Sequence, residues 1–148
     1  MALDLFLLAG VLACLFGITD YFRMDVLSWK EGVKSTQLDS FTSTLGNINT
    51  YTAYVALVMG VSCGFFVTEK NVLRNIWYYL VLLISFFAII TGQSDNAYLA
   101  LGALFALFPL VLFATRKGVI RYAVVIASFM SVIKVIDEIN KKMAEKVI

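Results

Sequence analysis

Five stretches of this chain, residues 5–19, 48–68, 75–91, 97–115 and 122–136, run for fifteen to twenty-one residues with a single charged side chain, Lys134, among them. Such runs narrow the folding options sharply. A helix needs about 20 apolar residues to cross a hydrocarbon core of about 30 Å, because each residue adds about 1.5 Å of rise. The expected fold is therefore all-α: a polytopic integral membrane helix bundle of about five transmembrane helices forming a single transmembrane domain over residues 1–148. Lys134 falls where its long stem lets the ammonium snorkel to the interface.

Composition agrees with that reading. The 148 residues are 61% hydrophobic and carry 12 basic and 10 acidic side chains. Spread over a soluble globule, so few charges would leave apolar surface uncovered, so the excess faces lipid. The bases are scattered through short connections and form no stripe with interleaved aromatics, which argues against nucleic acid as a partner. Cys14 and Cys63 each lie inside an apolar run, and histidine is absent altogether. A disulfide framework, a metal site and histidine-based catalysis are accordingly not expected. The first residues, Met1 to Asp4, carry an acid and no base, unlike a secretory leader, so the first helix is read as retained.

Orientation follows from the short loops. Lys70 and Arg74 lie between the second and third helices, and Arg116, Lys117 and Arg121 between the fourth and fifth; these loops are expected on the cytoplasmic side. Alternation then puts the long connection 20–47, the turn 92–96 and the tail 137–148 outside, as a multi-pass protein of the cell membrane. Within the connection, Phe22, Val26, Trp29 and Val33 recur at helical spacing and predict a short interfacial helix with Arg23, Lys30 and Lys34 turned outward. The tail carries a stripe of Val132, Val135, Ile136, Ile139 and Met143, predicting an amphipathic helix that leaves the membrane. Its open-ended character suggests a cut through a longer chain. Gly60 and Gly64 have the four-residue spacing that lets helix backbones approach, and Pro109 predicts a modest kink in the fourth helix.

Two polar strings stand out against this background. FTSTLGNINTYTAY, residues 41–54, runs straight into the second helix, and TGQSDNA, residues 91–97, joins the third to the fourth. Hydroxyls and amides are costly in lipid without partners, so such strings act as helix caps, as interhelical hydrogen bonds or as the lining of a wet site for a polar ligand. Asn47 or Thr44 suits an N-cap with Gly46 turning the chain, and Ser94 or Asp95 suits the cap of the fourth helix. Were the strings to converge, they would make a polar pocket at the outer leaflet, with Arg23 available for a phosphate.

LGNINTYTAY (45–54), followed one helix pair later by TGQSDNAYLA (91–100), resembles the O-antigen ligase and polymerase family over roughly residues 20–136. Members share a Gly-Asn-x-Asn helix entrance and a Thr-Gly-Ser turn, both facing the cell exterior. The resemblance implies a membrane glycosyltransferase fold that takes an undecaprenyl-pyrophosphate-linked oligosaccharide donor and a glycan acceptor, with no metal or nucleotide cofactor. It makes Arg23, Asn47, Asn49, Tyr51, Ser94 and Asn96 substrate-binding candidates, and Asp95 a candidate to deprotonate the acceptor hydroxyl. Two departures count against ligase chemistry by this chain alone: Asp95 stands where many members carry an arginine, and there is no histidine. Members also have about ten to twelve spanning helices, which matches the expectation that these residues are a section of a longer chain. The competing expectation is a non-enzymatic small transporter, membrane-complex subunit or assembly factor in which both strings are caps.

Overall fold

A computed structural model describes residues 2–26, 28, 43–112 and 116–147. Every regular element among them is helical: α1 (Ala2–Tyr21), a single 3-10 turn (Ser43–Leu45), α2 (Ile48–Thr68), α3 (Val72–Thr91), α4 (Asp95–Leu112) and α5 (Arg116–Val147). The all-α bundle expected from the apolar runs is thus observed. Four helices, α1, α2, α3 and α5, are long and apolar enough to cross a membrane, while the apolar part of α4, Asp95–Leu110, is shorter.

Local chemistry explains where the helices start. Asn47 sits in extended backbone and its side chain accepts from the amides of Asn49 and Thr50, capping α2, while Asn71 caps α3 through Leu73 and Arg74. Each thereby satisfies amides that a helix N-terminus leaves without an internal partner. Thr44, the other cap considered for α2, lies inside the 3-10 turn. Gly46 takes φ 70°, the left-handed turn that admits the chain to the Asn47 cap.

The helices alternate in direction around a core centred on α2 and α3, which pack on each other most extensively, with α1 against both, α4 beside α2, and α5 beside α3. Aromatic pairs record the register: Phe65 stacks on Tyr78, Phe66 leans on Tyr79, and Phe86 meets Phe105 and Phe129. Helices in lipid gain little from excluding water between them and depend on close packing. Gly17 provides the tightest instance, since a Cβ there would overlap the Tyr51 ring.

Several expected boundaries shift. α1 begins three residues earlier than expected and runs two residues later, and α3 starts at Val72, where Asn71 caps it. α5 is one 32-residue helix from Arg116, about 48 Å long. The tail is therefore no separate element; Ile136 is buried, Val132, Ile139 and Met143 are half-buried, and Val135 faces outward. No helix occupies the start of the 20–47 connection, because Phe22 and Arg23 lie in a turn closing α1, with Arg23 at φ 56°. Trp29, Lys30, Val33 and Lys34 lie outside the described residues. Nothing comes within 4 Å of a Cβ built on Gly60 or Gly64, so that pair forms no close backbone contact among the described residues.

Candidate functional site

Helix alternation gathers four helix ends at one pole of the bundle, the C-termini of α1 and α3 and the N-termini of α2 and α4, together with the far part of α5. Both polar strings lie there and they meet. The Ser94 hydroxyl donates to Asn49 Oδ1 at 3.0 Å, joining the α3–α4 turn to the first turn of α2. Directly beneath, Gly92 is buried so close to Thr52 that a Cβ on it would stand 2.8 Å from the threonine methyl.

Two further ties close this pole. Asp20, at the end of α1, accepts from the Ser43 amide through its carboxylate, and the Ser43 hydroxyl donates to the Ala13 carbonyl. On the other flank, the Tyr21 hydroxyl donates to Asn140 Oδ1 on α5. The register makes this contact natural. Tyr79 and Ser128 pair their hydroxyls at 2.6 Å on the parallel helices α3 and α5, and twelve residues further along each lie Thr91 and Asn140.

The candidate residues divide into those that build the pole and those that face outward from it. Asn47 is a cap, with its carbonyl oxygen committed to backbone amides. Tyr51 faces inward, away from the polar surface: it is 1% exposed, packed on Gly17 of α1, with its hydroxyl directed at the Cys14 carbonyl. The cause is helical phase, since Tyr51 shares the inner face of α2 with Val55, Val58 and Ser62. Ser94, 5% exposed, occupies the residue before α4 but turns its hydroxyl to Asn49, so it ties helices together and its side chain does not reach for an amide of its own helix.

Outward faces belong to Arg23, Asn49, Gln93, Asp95 and Asn96, all exposed. Asn49 belongs to both groups, because its oxygen holds Ser94 while its amide nitrogen makes no protein hydrogen bond among the described residues. Gln93 holds φ 46°, a left-handed conformation that the tight turn into α4 imposes. Asp95 opens the first turn of α4, where the helix dipole favours a carboxylate. A carboxylate beside neutral amide groups suits hydrogen bonding to a polyhydroxylated ligand. Among the described residues there is no cluster of His, Cys, Asp or Glu able to hold a metal ion.

Asp20, Tyr21 and Asn140 also build this pole, and none of them lies in either polar string. Asp20 carried a weak signal as an acid directly after an apolar run. Asn140 carried none, being one polar residue among many in an amphipathic segment. No family model, no curated protein and no solved structure matches this chain.

The opposite pole is built from charge. Arg121 of α5 donates through Nη1 to the carbonyls of Phe66, Val67 and Glu69 at 2.7–2.9 Å, capping the C-terminus of α2. Asn75 adds a bond to the Phe66 carbonyl. The Tyr78 hydroxyl donates to Asp4 and accepts from Arg74, whose guanidinium lies 3.7 Å from both Asp4 and Glu69. The Glu69 carboxylate also accepts from the amides of Asn71 and Lys70, and these bonds, helped by Arg74 and Arg121, hold its pKa below the usual glutamate value.

Proposed function

We propose that this chain belongs to a cell-membrane protein that handles a lipid-linked glycan at the pole where the two polar strings meet, as in O-antigen polymerases and ligases. The single observation that carries the reading is the Ser94–Asn49 hydrogen bond. It brings two strings 45 residues apart in sequence into one polar surface, which is what a shared binding site requires and two unrelated caps do not.

In this reading the exposed Gln93 and Asn96 side chains and the Asn49 amide hydrogen-bond sugar hydroxyls, and Arg23 attracts the donor pyrophosphate. Glycosyl transfer needs no nucleophile from the protein. An acceptor hydroxyl attacks the anomeric carbon, the bond from that carbon to the pyrophosphate oxygen breaks, the leaving group departs with the electron pair, and Asp95 takes the hydroxyl proton. The polyprenyl tail of the donor would stay in the lipid beside the bundle.

The test is genetic and chemical. Deleting the source gene should abolish long envelope glycans and accumulate lipid-linked units, seen by gel and mass spectrometry. Restoration by the wild-type gene, but not by a copy carrying Asn49→Ala and Asn96→Ala at normal membrane abundance, supports the reading. An unchanged glycan profile after deletion overturns it.

A second reading is favoured by one specific observation: Asn47, Tyr51 and Ser94 are committed to contacts within the bundle. On that basis the pole is a structural clasp, and the chain serves as a non-enzymatic membrane-complex subunit. Loss of abundance in the Asn49/Asn96 variant, in place of loss of glycan, identifies this case.

A further inference from the structure

The charged pole leaves three cations uncommitted. Arg121 is held by the α2 carbonyls and Arg74 by Asp4, Glu69 and Tyr78, whereas Lys70, Arg116 and Lys117 are exposed and have no ion-pair or hydrogen-bond partner for their side chains among the described residues. Arg121 brings the segments that carry them to the same pole, Arg116 and Lys117 being adjacent in the first turn of α5. Arg121 donates at 2.8 Å to the carbonyl of Glu69, whose neighbour is Lys70, and Lys117 stands one helical turn before Arg121 on the same side of α5.

Above them a lateral groove of about 510 Å³ runs between α3 and α5, walled by Tyr79, Leu83 and Phe87 on one side and Val124, Ser131 and Val135 on the other. That volume falls within the range of ligand clefts, about 300–1,000 Å³. Lys117 lies on the groove-lining stripe of α5, since 117, 124, 128, 131 and 135 repeat at helical spacing, and Val124 is about 10 Å further along the helix. The hydroxyls in the wall are already satisfied: Tyr79 pairs with Ser128, Ser128 also bonds the Val124 carbonyl, and Ser131 bonds the Ala127 carbonyl. The groove therefore offers a hydrocarbon surface and asks nothing of a polar ligand.

A hydrocarbon groove with a cationic base matches an amphiphile whose anionic head lies at the basic pole. We infer that the α3–α5 groove is a binding site for an anionic phospholipid, with one acyl chain along Leu83, Phe87 and Val135 and the phosphate among Lys70, Arg116 and Lys117. The charge complementarity selects this occupant over a second helix, which would leave the three cations unanswered. The site lies at the pole opposite the two polar strings, so it stands independently of the glycan reading.

The experiment uses the whole chain, purified from nanodiscs of phosphatidylcholine doped with phosphatidylglycerol, with retained lipid counted by native mass spectrometry. Wild type should retain phosphatidylglycerol selectively. Removing the charges with Lys70→Gln, Arg116→Gln and Lys117→Gln should weaken retention about fivefold per charge, from roughly 1 kcal/mol for each basic residue near an anionic surface. The exposed single variant Lys117→Gln, which disturbs no packing, should lose its share alone. Filling the groove with Ala127→Phe should abolish retention with all cations intact, and Lys141→Gln with Lys142→Gln should change nothing. Equal retention of both lipids, or unchanged retention in the triple variant, overturns the proposal. So does efficient crosslinking of two copies through a Ser131→Cys substitution, which would make a second copy the occupant.

Discussion

The two poles of the bundle solve the same problem with different chemistry. Each must hold helix ends together where the apolar packing stops. At one pole the ties are mostly charge-assisted, with the Arg121 guanidinium across three carbonyls and Arg74 between two carboxylates. At the other, the ties among the described residues are mostly neutral: an asparagine cap, a Ser94–Asn49 bond and a Tyr21–Asn140 bond, together with the Asp20 carboxylate on the Ser43 amide. Charge-assisted hydrogen bonds are roughly twice as strong as neutral ones. The charged pole is thus a lock, whereas the neutral pole presents exposed amides and the Asp95 carboxylate on a frame whose described ties are mostly neutral hydrogen bonds. A ligand site that must admit and release a polar substrate suits the second arrangement.

The sharpest way to break the comparison is to damage the helix packing both poles rely on. Gly17→Leu should cost about 3 kcal/mol, because the new side chain must occupy the space of the Tyr51 ring. Membrane abundance and the melting temperature in detergent should both fall.

Next in size is the lock itself. Arg121→Met removes the donor that bridges three carbonyls at the α2 terminus, leaving those of Val67 and Glu69 without it while Phe66 keeps Asn75, and should cost about 2 kcal/mol in the same melting assay. Arg121→Lys should recover part of that loss, since an ammonium keeps the charge but not the planar fork. Equal melting of wild type and Arg121→Met would remove the distinction between the poles.

At the neutral pole the effects are smaller. Asn47→Ala and Ser94→Ala should each cost about 1 kcal/mol, the usual size of one cap or one neutral hydrogen bond. In contrast, Asn96→Ala should leave melting unchanged because the side chain is exposed, and Asp95→Asn should cost only the dipole contribution of about 0.3 kcal/mol, while both lower glycan output if this pole binds sugar.

Acid should separate the poles most gently. Glu69 has a folded pKa below its ordinary value, so the stability it contributes is present above about pH 4.3 and is lost as pH falls through the lowered folded value. The melting temperature of wild type should decline in that window, and Glu69→Gln should flatten the decline. A wild-type curve as flat as that of the variant would show that the carboxylate does not fasten the charged pole.

Much of the bundle is legible in the order of its residues. The runs at 48–68 and 75–91 coincide closely with α2 and α3, since length and lack of charge suffice to mark a helix that lipid would accept. Asn47 as a cap with Gly46 turning before it was also readable, because capping is a local interaction across three residues. The shifted boundaries occur where local signals compete. Charges at 116, 117 and 121 obscured the start of α5, although a helix terminus tolerates them once they lie beyond the apolar core and Arg121 has carbonyls to bond.

The site divides along the same line. Residue types named the polar strings, but type alone could not tell which way Tyr51 points: a helix turns 100° per residue, and only packing against Gly17 fixes which side faces inward. Nor could it pair Ser94 with Asn49 or Tyr21 with Asn140, residues 45 and 119 positions apart. The sequence by itself determined that this chain forms apolar helices with short polar turns, because solvation and backbone hydrogen bonding act residue by residue. Which turns meet, which tyrosine is buried and which arginine becomes a cap were decided by the tertiary structure, because those outcomes depend on the relative rotation and register of helices that no local interaction specifies.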